Sequence, residues 1–152
     1  MNAVLAVSRA DVVAEARTWI GTPWQHQARL KRVGVDCGGL PIGVARALAL
    51  VPADMDVTHY ARVPDGHSLV AHCRQWMVEI DPASIAPADV IVLRFDVEPQ
   101  HVAIVGDYVH GGLSMIHALD RPGHAGGAVV EHRLDAAHRA RIVAAFTLPG
   151  VA

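Results

Sequence analysis

The spacing of apolar residues changes at Pro87, and this change constrains the fold more than any other feature of the chain. Before Pro87, apolar side chains recur at helical intervals within residues 8–20, 40–51 and 67–79. After Pro87, short β-branched segments are separated by Pro, Gly or Asp clusters. Helices first and strands afterwards predict an α+β domain in which the helices cover one face of an antiparallel sheet.

The three N-terminal segments carry different boundary signals. The first helix is predicted to begin at a Ser8 cap and to stop before Gly21. Pro41 is tolerated only in the first turn of a helix, so the second helix should begin within a residue or two of Cys37. A third helix is predicted over about 67–79, and the polar stretch between the first two helices is predicted to be a loop.

The segments after Pro87 are predicted to form an antiparallel meander of DVIVLRF, QHVAIVG, LSMIHAL and AVVEHRL. A last helix is predicted over DAAHRARIVAAF, with Asp135 near its start. We therefore expect a sheet of about five strands. One domain over residues 1–152 is predicted, because this length suits a single core and no linker or repeat interrupts it.

Charge and composition exclude several classes of protein. Thirteen Lys and Arg against fifteen Asp and Glu give a net charge of -2 without a long same-sign run, which disfavours a nucleic acid partner. No stretch approaches the roughly 20 apolar residues of a membrane span, and the N-terminus lacks a basic n-region, so no signal peptide is expected. Ten histidines and two cysteines lack the spacings of metal sites. Neither a metal nor a cofactor is expected.

The segment GVDCGGL places Cys37 at the predicted start of the second helix. The positive end of a helix dipole lowers the pKa of a thiol, so this position predicts a reactive thiolate. The glycines at 38 and 39 leave room for a carbonyl to approach N–H groups that can hold an oxyanion. The alternative is that Cys37 is a small buried apolar residue, as free cysteines most often are, and this is the prediction for Cys73.

A nucleophilic thiol needs a base, and His101 at the start of HVAIV can supply it. If the following loop is centred near His110, residue 103 pairs with residue 117, and His101 and His117 become diagonal neighbours on one face of the sheet. Taken alone, each is equally well explained as an ordinary strand residue. His26 is predicted to line a groove, and the other histidines to be surface or turn residues: His59, His67, His72, His110, His124, His132 and His138.

Four segments, in this order and at these separations, resemble the NlpC/P60 family of papain-like cysteine peptidases, especially its phage-tail and gene-transfer-agent branch: WIGTPWQHQARLKRVGVDCGGL, APADVIVLRF, HVAIVG and MIHA. The resemblance covers nearly the whole chain. It implies the papain-like fold, with Cys37 as the nucleophile, His101 as the general base and acid, and His117 as the residue that holds the imidazole.

The resemblance also implies a substrate and a setting. The substrate would be stem peptides of bacterial peptidoglycan, often cut at a γ-D-glutamyl bond to a diamino acid. The chain would be cytoplasmic when made and then associated with phage-tail proteins in the tail of a phage or phage-like particle.

Three residues near the thiol depart from the family pattern, since Trp24 replaces a Tyr, Gly38 a Ser and Pro41 a β-branched residue. Substrate-binding residues are expected among Trp24, His26, Asp36 and Gly38. The departures keep two alternatives open. One is a weak or inactive structural or assembly protein of a phage-like tail with the same fold, and the other is a Cys–His amidase or acyltransferase that acts on another acyl substrate.

Overall fold

The computed structural model describes residues 5–57, 67–95, 99–120 and 126–152. Within these ranges the helices are α1 (Arg9–Arg17), α2 (Gly39–Ala47), α3 (Ser68–Trp76) and α4 (Ala136–Arg139). The strands are β1 (Arg29–Leu30), β2 (Gly34–Val35), β3 (Val78–Ile80), β4 (Val90–Arg94), β5 (Pro99–Asp107), β6 (Leu113–Leu119), β7 (Ala128–Arg133) and β8 (Ile142–Thr147). No helix in the described ranges is long and apolar enough to cross a membrane.

The main sheet has six strands in the order β3-β8-β4-β5-β6-β7, and every neighbouring pair is antiparallel. Strands β4 to β7 form the predicted meander. The β5–β6 register pairs Ile104 with Ile116, and the hairpin turn lies between Tyr108 and Gly112. This is the register that the sequence predicts, because a loop centred near His110 places residue 103 opposite residue 117.

The two faces of the sheet bury different residues. Val92 packs in one cluster with Val12 of α1 and Val44 of α2. The next residue of β4, Leu93, belongs to a second cluster with Met115 on the opposite face. Because successive side chains of a strand point to opposite faces, the helices cover one face, and the second face is available for other side chains.

The predicted last helix is largely wrong. Only Ala136–Arg139 is helical, and Ile142–Thr147 forms β8 between β3 and β4. Ala144, Ala145 and Phe146 are consecutive and all buried, which a central strand explains because both of its faces are covered. The third predicted helix also ends early, at Trp76, and β3 follows it. These two strands make the sheet six-stranded instead of about five-stranded.

The N-terminal segments follow the predicted boundaries more closely. The Ser8 hydroxyl accepts a hydrogen bond from the backbone N–H of Asp11 at 3.1 Å, and the Asp11 carboxylate accepts one from the Ser8 N–H at 2.8 Å. This capping box starts α1, which ends at Arg17, three residues before the predicted end. The predicted loop contains the short strands β1 and β2, whose pairing returns the chain towards Asp36.

Candidate active site

Cys37 lies one residue before Gly38, the N-cap of α2, where the sequence places it. The two glycines that follow differ in their surroundings. A Cβ on Gly39 would lie 2.7 Å from the carbonyl oxygen of Ala28, whereas a Cβ on Gly38 would have nothing within 4 Å. Only Gly39 is therefore required sterically, because its backbone passes against the loop that leads to the thiol.

Asp36 holds the turn that carries the thiol. Its carboxylate is 2% exposed and accepts hydrogen bonds from the N–H of Gly39 at 2.8 Å, the Arg29 guanidinium at 2.9 Å and the N–H of Gln27 at 2.7 Å. Asp36 lines the candidate cavity, as expected for a substrate-binding residue. Since these three donors already engage its carboxylate, a contact between Asp36 and substrate stays a prediction.

The thiol of Cys37 is protonated at neutral pH. Burial raises its pKa to about 11, with a further contribution from the negative charge of Asp36. Backbone N–H groups of Val102, Gly38 and Cys37 lower the pKa, but by less. The predicted thiolate is therefore wrong for the resting protein, because the carboxylate of Asp36 already occupies the start of α2 and opposes ionisation of the sulfur.

His101 is the candidate base, and it lies at the start of β5. It is opposite Leu93 in the β4–β5 register, and it is 6% exposed. The Cys37 sulfur is hydrogen-bonded to the backbone N–H of Val102, the next residue along β5, and His101 and Cys37 line the same cavity. Burial lowers the pKa of His101 to about 4, with smaller contributions from His132 and His138. The ring is neutral at pH 7 and can accept a proton.

The structure brings His117 against His101, as the predicted register requires. Nε2 of His101 is 2.6 Å from Nδ1 of His117, and the ring planes are inclined at 83°. His117 is 1% exposed. The contact uses Nε2 of His101, so Nδ1 is the ring nitrogen that is left for the thiol.

A further histidine continues this series. Nε2 of His132 lies 2.7 Å from Nε2 of His117, and Nδ1 of His132 lies 2.9 Å from the carbonyl oxygen of Arg133. Of the histidines predicted to be surface or turn residues, His59 and His124 lie outside the described residues, and His132 is half-buried on β7. The β6–β7 register, which pairs Met115 with His132, makes His117 and His132 diagonal neighbours. The alternation of side chains along a strand predicts that His117 and His132 are neighbours only once the β6–β7 register is known.

The cavity that Cys37 lines has a volume of about 390 Å³. All four predicted substrate-binding residues line it, namely Trp24, His26, Asp36 and Gly38. Much of the remaining lining is apolar: Pro41, Ile42, Ala45, Leu50, Val51, Met55, Leu69, Cys73, Trp76, Met77, Phe95, Leu119, Leu148 and Pro149. No lining residue in the described ranges is Lys or Arg. The same ranges contain no group of three or more His, Cys, Asp or Glu side chains that could hold a metal ion.

The fold is similar to that of solved NlpC/P60 domains. The NlpC/p60 domain of the peptidoglycan hydrolase SagA is 23% identical with a TM-score of 0.60, over 93% of this chain and 100% of that one. An NlpC/P60 family protein from Bacillus cereus is 18% identical with a TM-score of 0.65, over 97% of this chain. A Staphylococcus aureus protein described as similar to lipoprotein of the NLP/P60 family is 16% identical with a TM-score of 0.60, also over 97% of this chain.

The present chain spans 42% of the Bacillus cereus protein and 45% of the Staphylococcus aureus protein. No family model and no curated protein matches the chain. The fold is thus the predicted papain-like NlpC/P60 fold, with helices packed on an antiparallel sheet and Cys37 beside the N-terminus of α2.

Proposed function

We propose that this protein is a cysteine peptidase of the NlpC/P60 type that hydrolyses peptide bonds in bacterial peptidoglycan. The observation that carries the proposal is that Cys37 and His101 line one cavity, with Nδ1 of His117 hydrogen-bonded to Nε2 of His101. The likeness of the fold to a domain of a peptidoglycan hydrolase supports the substrate class.

The proposed reaction begins with a neutral thiol and a neutral imidazole. As the sulfur attacks the peptide carbonyl carbon, the thiol proton passes to Nδ1 of His101. The N–H groups of Cys37 and Gly38, which already face the sulfur, can hold the oxyanion. His101 then protonates the leaving amine as the C–N bond breaks. Water hydrolyses the thioester, giving its proton to His101, and the thiol is restored.

The bond and the setting are proposed from the sequence resemblance. The scissile bond is the γ-D-glutamyl bond to the diamino acid of the stem peptide. The protein is made in the cytoplasm and acts in the tail of a phage or phage-like particle, in contact with tail proteins. Co-purification of the chain with intact tails, and its loss when tails are absent, would support this setting.

The apolar lining of the cavity favours a second candidate, a Cys–His amidase or acyltransferase that acts on an apolar acyl group. A stem peptide brings carboxylates, and the described lining includes apolar residues such as Leu50, Leu69 and Trp76 but no Lys or Arg. An apolar acyl chain would replace water along that wall at a gain of about 25 cal/mol per Å² of apolar surface buried.

One side-by-side assay separates these candidates. The purified protein is incubated with muropeptides and, separately, with fatty acyl amides and esters, and the products are identified by mass. Cleavage of muropeptides alone supports the peptidase, and cleavage of the acyl compounds alone supports the second candidate. No turnover of either, with Cys37→Ala giving the same blank as the wild type, would contradict both and favour a structural tail protein.

A further inference from the structure

The rings of His101, His117 and His132 form a hydrogen-bonded series that ends at the backbone carbonyl of Arg133. This carbonyl determines which nitrogen of each ring is the hydrogen-bond donor. A carbonyl oxygen can only accept a hydrogen bond. Nδ1 of His132, 2.9 Å from the Arg133 oxygen, must therefore carry a proton and donate it. In a neutral His132 ring, Nε2 then has no proton and acts as an acceptor.

The same pairing of one donor with one acceptor applies to each ring in turn. The partner of the His132 acceptor is Nε2 of His117 at 2.7 Å, which must donate, so Nδ1 of a neutral His117 is an acceptor. The partner of that acceptor is Nε2 of His101 at 2.6 Å, which must also donate. Nδ1 of a neutral His101 is then left without a proton, as a base for the Cys37 thiol requires.

We propose that His132 is a positioning residue, which through the Arg133 carbonyl sets the tautomers of His117 and His101 so that Nδ1 of His101 is left unprotonated and can act as the base for the thiol. This rests on the proposed function, because it assumes that His101 is the base for Cys37. His132 touches neither the thiol nor His101 in this series, and it acts through His117.

The alternative tautomers show why the direction matters. If His101 carried its proton on Nδ1, that nitrogen could not take the thiol proton, and two lone pairs would face each other across 2.6 Å to His117. When His101 takes the thiol proton, both of its nitrogens carry protons, and Nε2–H still finds the acceptor of His117. The series is therefore compatible with both protonation states of the base.

The surroundings of His132 keep its ring in place. The ring of His138 on α4 lies 5.0 Å from that of His132, and Nδ1 of His138 is 2.8 Å from a carboxylate oxygen of Asp135. The cap of α4 thus holds a ring against the outer side of the series. A purely structural role for His132 would require this packing but would not depend on which nitrogen is protonated.

The direct test is the protonation of each ring nitrogen, measured by ¹⁵N NMR on the full chain labelled at histidine, near pH 7.5. We expect a proton on Nε2 of His101, Nε2 of His117 and Nδ1 of His132. A proton on Nδ1 of His101, or on Nε2 of His132, would overturn the proposal. This measurement needs no substrate, so its result is independent of whether peptidoglycan is cleaved.

A pair of variants tests the consequence for the thiol. His132→Phe keeps a planar ring but removes the acceptor for His117, whereas His132→Gln offers an amide oxygen in its place. We expect the rate of alkylation of Cys37 by iodoacetamide at pH 7.5 to fall on the order of tenfold in His132→Phe and to recover to within about threefold of wild type in His132→Gln. The His101 tautomer should change in the first variant alone.

The control is His110→Phe, the same substitution at an exposed histidine in the β5–β6 turn. It should leave the alkylation rate of Cys37 and the tautomer of His101 as in the wild type. Unchanged alkylation and unchanged tautomers in His132→Phe would contradict the proposal. If that variant does not fold, the wild-type tautomers and His132→Gln decide the question. If the expected tautomers are found but the protein does not cleave muropeptides, the proposed substrate is contradicted and the proposal for His132 is retained.

Discussion

Two cysteines line one cavity, and the difference between their surroundings shows what a nucleophilic thiol requires. Burial raises the pKa of Cys37 to about 11 and that of Cys73 to about 12. Cys37 has polar surroundings, because backbone N–H groups of three residues lower the pKa of its thiol and His101 lines the same cavity. Cys73 is buried in the hydrophobic cluster under α3.

The comparison indicates that the resting pKa does not distinguish the two sulfurs. Both thiols are neutral at pH 7, and neither is activated by its environment alone. What distinguishes Cys37 is a neutral imidazole that can take its proton during attack, with a second ring that orients the first. Four predictions test how the surroundings of the two cysteines and the lining of their cavity act.

Substituting each cysteine by alanine should give very different losses of activity. Cys37→Ala removes the nucleophile and should lower kcat/KM for muropeptide cleavage by roughly 10³-fold or more. Cys73→Ala removes one atom from the apolar wall and should change kcat/KM by less than about threefold. Circular dichroism of both variants checks that the fold is retained. Equal losses of kcat/KM in the two variants would remove the distinction between the two thiols.

The adjacent glycines at the thiol end should differ in stability. A Cβ on Gly39 would lie 2.7 Å from the Ala28 carbonyl oxygen, so Gly39→Ala should cost about 2 kcal/mol of the free energy of unfolding. Gly38→Ala, where a Cβ would have open space, should cost less than about 0.5 kcal/mol. Urea unfolding monitored by tryptophan fluorescence measures both. A larger loss for Gly38→Ala would contradict this account of the turn.

The two thiols should also differ in how stability falls at alkaline pH. Above pH 9.0 an unfolded thiol ionises while the folded one keeps its proton, so the native state binds more protons and stability falls with rising pH. Each buried thiol contributes a slope of about 1.4 kcal/mol per pH unit. The Cys37 contribution should end near pH 11 and the Cys73 contribution near pH 12.

Urea midpoints of the two Ala variants between pH 8 and pH 12, under reducing conditions, measure these slopes. Relative to wild type, each variant should lose less stability above pH 9. The difference between wild type and Cys73→Ala should keep growing above pH 11, whereas that between wild type and Cys37→Ala should level off. Parallel curves of stability against pH for wild type and both variants would show that the fold does not raise the pKa of either thiol.

Filling the apolar wall should affect binding more than chemistry. Leu69→Trp adds bulk to the apolar lining of the cavity and should raise KM for the preferred substrate about fivefold, with kcat nearly unchanged. Val109→Trp, on the exposed β5–β6 turn, is the matched control. An unchanged KM would mean that the substrate does not contact this part of the lining.

Much of the architecture can be predicted from local sequence. The alternating pattern of β4 to β7 fixes their strands, and a turn centred near His110 fixes the register that joins His101 to His117. β8 is different, because IVAAF has no alternation. Its strand conformation comes from pairing with β3 and β4 on both sides, and local propensity is a weak guide to such a segment.

The sequence by itself determined the two periodicities, the cap of α1, the start of α2 near Pro41, and the order in which the thiol and its base follow each other. These features depend on residues a few positions apart, whose spacing is set by backbone geometry. Only the tertiary structure decided that Cys37 is protonated, that His132 joins the ring series and that the cavity is largely apolar. Each depends on desolvation or on contacts between segments far apart in the chain, where burial and distance govern the electrostatics.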